Sequence, residues 1–549
     1  MAVSPFPVST PPIDWTRVSV YFVFLAALVR SIIAAHGGSE TLGIFGFDIH
    51  HRYSDTVREF LDVDGLPEKG SLDYYAAMAH RDRLFNARRL AGGASPPPEG
   101  HLTFLGSNET FRINTLGFLH YAIVSVGTPP LLFLVALDTG SDLFWLPCEC
   151  SDCARTLNSS SGKKLDLNIY SPRTSSTSAT VACNSTKCGH RRCSRTFNGC
   201  AYQALYLSTN TSTTGILVDD VLHLGSDSTP QIPVDVPITL GCGIVQTGDF
   251  LRGAAVNGLF GLGMNNLSVP SILASGGHTA NSFSMCFRHE GIGRIDFGDK
   301  GTPGQNETSF NLQQSHRSYN VTITQIAVEK NVTNLEFTAI FDSGTSFTYL
   351  NDPAYSAIVE SFNPQITEPR YRPPRKIIFD YCYALSPKQD SYTIPSLSLI
   401  MKGGNQFSVL APTIGIPRQG GYAYCLAIVK SDDVNIIGQN FMSGYRLVFD
   451  REKMVLGWKE SDCFTATLNN GSSNTSPVVN RNDTEAPLPR PGNRIPGPAS
   501  SPEQLLPPPA TRGSSSAAAA LAGLEYHEAN RLLVFILSIF LHLLIILSF

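Results

Sequence analysis

Two short stretches of this chain repeat one another: Phe133-Leu-Val-Ala-Leu-Asp138-Thr-Gly-Ser-Asp-Leu-Phe-Trp145-Leu and Phe337-Thr-Ala-Ile-Phe-Asp342-Ser-Gly-Thr-Ser-Phe-Thr-Tyr349-Leu. Such an apolar run reads as a buried strand, and Gly140 or Gly344 beside a small hydroxyl residue allows a tight turn. Each copy therefore offers one carboxylate at a strand end. The repetition implies two lobes built on one plan, with turns that bring two carboxylates together.

Short strands punctuated by Gly, Pro and Ser fill most of the span from 118 to 463, so the fold class is dominated by β-structure. A hairpin, Phe118–Val126 turning at Gly127-Thr-Pro129-Pro130 into Leu131–Leu137, delivers Asp138. Helices are expected only near Val269–Ser275 and Pro353–Phe362, and ahead of the body at Leu72–Leu90. Ser71 caps that first helix and Asp73 starts it. Its second half is basic, with His80, Arg81, Arg83, Arg88 and Arg89 outnumbering Asp82. It reads either as a solvated helix or as a removable segment covering an acidic cleft, and the Gly- and Pro-rich linker after it is open to proteolysis.

With 549 residues, 42% of them hydrophobic and 16% charged, the chain has ample core, and a net charge of -4 gives no footing for nucleic acid. Arg17 before the apolar Val18–Val29 and the small Ala34-Ala35 has the order of a secretory signal, 1–35. Sequons at Asn108, Asn158, Asn184, Asn210, Asn266, Asn306, Asn320, Asn331, Asn470, Asn474 and Asn482 fit passage through a secretory lumen. The twelve cysteines then read as disulfides. Cys148, Cys150, Cys153, His190 and Cys193 lack regular ligand spacing, and no metal or organic cofactor is expected.

The remaining divisions follow composition: a propeptide-like segment 36–92, a linker 93–117, lobes 118–285 and 286–463, and a Pro-rich glycosylated stalk 464–531. The uncharged tail 532–549 follows small residues and a polar spacer. That order fits a GPI-attachment signal better than a spanning helix, since no basic flank follows it.

Two carboxylates held close share one proton, so the pair acts as base toward a water and acid toward a leaving amine. That is peptide hydrolysis without metal or covalent intermediate, greatest at acidic pH, with the two groups titrating as a unit. At Asp138-Thr-Gly-Ser and Asp342-Ser-Gly-Thr the chain resembles the pepsin-like aspartic proteases. Trp145 stands seven positions beyond the first Asp, and Leu259-Phe260-Gly261 and Ile436-Ile437-Gly438 resemble the family's elements that pass beneath the aspartate loops. The resemblance covers about residues 118–463 and implies a bilobal fold of two β-lobes flanking a central cleft.

By that resemblance Asp138 and Asp342 are the catalytic pair, flanked by Gly140 and Gly344. Thr139 and Ser343 should cross-link the loops, and Ser141 and Thr345 should donate to the outer carboxylate oxygens. Tyr206 is taken as the flap tyrosine reaching toward Trp145, with Tyr202 as the alternative, although the run from Tyr206 to Gly215 is poorer in glycine than the family's flap. Cys382–Cys425 and Cys286–Cys463 are implied pairs, while the eight cysteines of the first lobe stay unassigned. Cysteine density and Cys200-Ala-Tyr202-Gln-Ala-Leu-Tyr206 look most like the plant nepenthesin-type branch, and the stalk and tail are similar to plant GPI-anchored aspartyl proteases. The expectation is a secreted, monomeric acid endopeptidase cutting polypeptides at the outer plasma membrane, the vacuole or cell wall being the other location. The competing function is a catalytically silent pepsin-fold binding or inhibitor protein.

Overall fold

The computed structural model describes residues 43–61, 67–90, 102–103, 110–111, 118–463 and 485–487, with short breaks at 159–163, 190, 207–210, 227–232, 289–291, 313–317, 387–388, 390 and 433. The signal, most of the linker and stalk, and the hydrophobic tail lie outside the described residues. Strands dominate and helices are few. The helices at Leu72–Leu90, Val269–Ser275 and Ala354–Phe362 stand where the sequence places them. Ser71 Oγ accepts the Tyr74 amide at 3.0 Å, which satisfies one of the donors left open at a helix start.

One large sheet builds the first lobe and continues into the second. Its middle runs Leu259–Gly261, Leu131–Asp138, His120–Val126, Phe45–His51, Ile292–Phe297, Ser282–Phe287 and Tyr445–Asp450. The boundary expected at 285/286 falls inside Ser282–Phe287, a strand paired on both sides. A separate seven-stranded sheet, centred on Asn320–Val328 and Asn331–Phe341, forms the body of the second lobe. The strand Phe45–His51 is the leading strand among the described residues, and it fills the slot between His120–Val126 and Ile292–Phe297. Phe45, Phe47 and Ile49 share one of its faces, as period-two alternation requires. Phe47 meets Phe260 and Phe297 at 5.7 and 5.9 Å between ring centroids.

The helix Leu72–Leu90 is not a solvated helix along its described side chains. Met78 and Ala79 are buried in an apolar cluster with Phe347, Tyr349, Ile377, Phe379 and Ile416 of the second lobe. Burying a methionine fully is worth about 1.5–3 kcal/mol, so this contact is a real attachment. Asp73 adds an ion pair to Lys376 at 2.5 Å.

All twelve cysteines are paired, which leaves none of them as a metal ligand. The two pairs implied by resemblance, Cys286–Cys463 and Cys382–Cys425, are present. The first lobe is stapled by Cys148–Cys242, Cys150–Cys153, Cys183–Cys193 and Cys188–Cys200.

Candidate active site

Asp138 ends the strand Leu131–Asp138, and Leu259–Gly261 lies parallel beneath it in the register Leu259↔Ala136 to Gly261↔Asp138. Asp342 follows Asn331–Phe341, and Ile436–Ile437 lies parallel to it through Ile340↔Ile436 and Phe341↔Ile437. The underlying segment of each lobe bonds the aspartate backbone: Leu262 N donates to Asp138 O at 2.9 Å, and Asp342 N donates to Ile437 O at 3.1 Å. The glycine that ends each segment is required by close approach. A Cβ on Gly261 would sit 2.3 Å from the Asp142 carbonyl carbon, and one on Gly438 would sit 2.2 Å from the Phe347 oxygen.

Both turns then aim a backbone donor at their own carboxylate. Gly140 N donates to Asp138 Oδ1 at 2.9 Å, and Gly344 N donates to Asp342 Oδ1 at 2.9 Å. Such bonds favour the charged form and fix the side-chain rotamer. Thr345 Oγ1 donates to Asp342 Oδ2 at 2.8 Å, as expected. Ser141 does not mirror it: its Oγ lies beside the Tyr206 hydroxyl and is buried without a full hydrogen bond among the described residues. Thr139 and Ser343 are both buried but share no hydrogen bond, so the anticipated cross-link is not formed.

Of the two tyrosines weighed for the flap, Tyr206 stands at Trp145, whose Nε1 donates to the Tyr206 hydroxyl at 2.8 Å. Burial, and after it the charge of Asp138, pushes the Tyr206 phenol above its ordinary range, so it stays protonated. Tyr202 packs its ring against the open face of Gly241 and bonds Thr213 at 3.0 Å, which makes it a core residue. Tyr206 N donates to Thr211 O at 3.0 Å, at the end of the paired strands Gly199–Leu205 and Ser212–Ser226.

The second loop is also where the leading helix docks. Arg81 Nη1 donates to the Gly344 carbonyl at 2.5 Å and pairs with Asp82 at 3.1 Å. Asp82, fully buried, accepts the Ser346 amide at 3.0 Å, the Ser346 hydroxyl at 2.8 Å and the Phe347 amide at 3.0 Å. Arginines outnumber acids in the second half of the helix, yet Asp82 is its deeper anchor. The signal for this was present in the apolar Met78 one turn before Asp82, which places both on one face. The leading strand carries a signal of its own, since Phe45-Gly-Phe-Asp-Ile-His alternates as a strand should. The side chains of His80, Arg83, Arg88 and Arg89 lie outside the described residues.

Among the described residues, no cluster of His, Cys, Asp or Glu is arranged to hold a metal ion. What the arrangement can do is present two carboxylates of unequal surroundings from matching turns, which suits proton transfer in both directions.

Family models described as the N-terminal and C-terminal parts of xylanase inhibitor match residues 120–299 and 318–460. The chain is 54% identical over 456 residues to Aspartyl protease family protein 1 of Arabidopsis thaliana, covering 81% of this chain and 88% of that protein. Aspartic proteinase-like protein 1 of the same plant is 38% identical over 451 residues, covering 77% and 82%. Aspartic proteinase nepenthesin-1 of Nepenthes gracilis is 27% identical over 370 residues, covering 62% and 77%. Among solved structures, conglutin gamma, a basic 7S globulin from lupine seeds, superposes with a TM-score of 0.50 at 20% identity, over 63% of this chain and 92% of that one. A likeness at that identity speaks for the fold alone.

Proposed function

Because the chain belongs to the pepsin-like aspartic protease family represented by these plant aspartyl proteases, we propose that it is an aspartic-type endopeptidase with Asp138 and Asp342 as its catalytic pair. The observation that carries this reading is the matched construction of the two loops, each with a parallel strand beneath it and a glycine amide on the inner carboxylate oxygen. A relative that had lost catalysis would still need the packed strands, but would be under no physical demand to keep a carboxylate at both turns.

In this reading one carboxylate takes a proton from a water as it attacks the peptide carbonyl, and the other, protonated, gives its proton to the leaving amine. Gly140 N holds Asp138 Oδ1, and Gly344 N with Thr345 Oγ1 holds Asp342, while Thr139 and Ser343 are buried in the two turns. Ser141, Tyr206 and Trp145 form the wall on the Asp138 side, where Tyr206 supplies a protonated hydroxyl. The substrates are extended polypeptides, and no metal or organic cofactor takes part.

The segment 36–92 serves as a removable cover. Its support is the seating of Arg81 and Asp82 on residues 344–347, next to Asp342. Secretion and a GPI tether at the outer plasma membrane, with the molecule a monomer, complete the proposal on the strength of the signal-like start, the sequons and the apolar tail.

The test is cleavage of an unfolded protein by the purified chain freed of residues 36–92, across pH 3 to 7, with and without pepstatin, beside Asp138→Asn. Acid activity lost to both inhibitor and substitution is the expected result. A folded, processed chain that cuts nothing at any pH overturns the reading and points to a silent binding protein.

A further inference from the structure

Thr139 and Ser343 form no direct cross-link, yet the two aspartate loops are joined one layer down. Tyr319, the residue ahead of the strand Asn320–Val328, reaches from the second lobe to the first, where its hydroxyl donates to the Leu262 carbonyl at 2.6 Å. Leu262 is the residue whose amide bonds the Asp138 carbonyl at 2.9 Å, and Gly263 N after it donates to Ser141 O at 2.8 Å. The backbone of Tyr319 is tied as well. Its carbonyl accepts the Phe341 amide at 3.0 Å, and Phe341 is the residue before Asp342. Three hydrogen bonds therefore run from the backbone of one aspartate to the backbone beside the other, through a single side chain.

That side chain is held stiffly. It is 1% exposed, and the rings of Phe310, Phe283 and Phe449 pack on it at 5.4, 5.9 and 4.7 Å between centroids. Burial first, helped by Asp142 and opposed by Arg451, pushes the phenol far above its ordinary range, so it stays a donor wherever an aspartate pair works. Both of those charges are fastened to the first lobe. Arg451 donates to Ser268 Oγ at 3.2 Å and to Ser271 Oγ at 2.7 Å, and Asp142 Oδ1 accepts the Asn265 amide at 2.9 Å. A phenylalanine would fill the same space among these rings; what the tyrosine adds is the bond across the lobes.

We propose that Tyr319 is a positioning residue, which fixes the spacing of Asp138 and Asp342 by strutting one aspartate loop against the other. This rests on the reading of the two as a catalytic pair. Two carboxylates share one proton only while they are close, and the gap between their two apparent pKa values grows as they approach. At an effective dielectric of about 20, parting them from about 3 to about 4 Å closes that gap by about one unit. A group that sets the spacing therefore shows itself in the gap, whereas a group that only fills the core does not.

The experiment is the pH profile of peptide cleavage by the full chain, cut in the linker 93–117, for the parent, Tyr319→Phe and Phe310→Leu. Tyr319→Phe keeps the ring and the carbonyl link and loses only the hydroxyl bond. It should lower kcat about ten- to hundredfold with KM little changed, and draw the two apparent pKa values of the kcat profile together by about one unit. Phe310→Leu, which disturbs the same core but neither bond, should keep the parent's gap. Carboxyl 13C shifts of Asp138 and Asp342, assigned with Asp138→Asn and Asp342→Asn, give the gap without turnover. An unchanged gap in Tyr319→Phe, or an equal narrowing in Phe310→Leu, overturns the strut. Tyr319→Met, whose flexible side chain fills the space of the ring without a donor, takes the same test should Tyr319→Phe fail to fold. A parent that cleaves nothing, with a carboxyl gap that still narrows in Tyr319→Phe, counts against the endopeptidase reading only.

Discussion

The two aspartate loops share a scaffold and differ in their dressing. Under each, a parallel segment ends in a glycine that no larger residue can replace without displacing backbone. Above it, each glycine amide holds Oδ1 at the same 2.9 Å. There the likeness stops. Asp342 is 3% exposed, has the Thr345 hydroxyl on its outer oxygen, and lies under a helix that bonds Gly344, Ser346 and Phe347. Asp138 is half-buried, its Ser141 makes no equivalent bond, and its neighbour is the Tyr206–Trp145 pair. Duplication supplies two carboxylates; the unequal second layer is what can separate their roles.

Replacing either aspartate by asparagine breaks the pair outright. Asp138→Asn and Asp342→Asn should each lower kcat/KM on a peptide substrate at least about 10²-fold, the scale of a lost acid–base group. If only one did so, the loops would not form a catalytic unit. The shared scaffold is probed next by Gly261→Ala and Gly438→Ala, each expected to cost about 1–3 kcal/mol in denaturant unfolding, because the added methyl meets backbone in both. A large inequality between them would show that one loop tolerates movement that the other does not.

The covering helix touches the second loop through Asp82, so Asp82→Ala should loosen the cover and raise basal activity of the unprocessed chain roughly tenfold, since it leaves the buried Ser346 and Phe347 donors unpaired at a cost of about 1–3 kcal/mol. Peptide turnover before and after linker cleavage measures it; no rise before cleavage would deny the contact an inhibitory part. A finer test compares the hydroxyls. Thr345→Val removes a donor to the charged carboxylate and should move the lower apparent pKa of the kcat profile upward by about one unit, whereas Ser141→Ala should leave it in place. Equal shifts would erase the asymmetry.

The scaffold was legible in the sequence because its demands are local and repeated. Asp138-Thr-Gly-Ser and Asp342-Ser-Gly-Thr, with Gly261 and Gly438, leave few alternatives for backbone that approaches so closely. Helices with clear starts, such as Leu72–Leu90 after Ser71, were legible for the same reason. The second layer was not, because it depends on partners far apart in the chain. Nothing local to Asp82 says that it will meet Ser346, and nothing in Ser141 says that its hydroxyl will miss Asp138. His51 meets His120 only when a strand from the leading segment is laid beside it.

The position of Phe45–His51 also sets a timetable for folding. One of its neighbours, Ile292–Phe297, is synthesised about 250 residues later. At roughly 5–20 residues per second, the strand waits on the order of ten to fifty seconds for that partner. Closing so long a loop carries an entropy cost that local contacts do not repay. One of the first strands to emerge is therefore among the last to be fully paired, with the apolar edge of Phe45, Phe47 and Ile49 uncovered in the interval, and chaperone protection during synthesis matters most at that end of the chain.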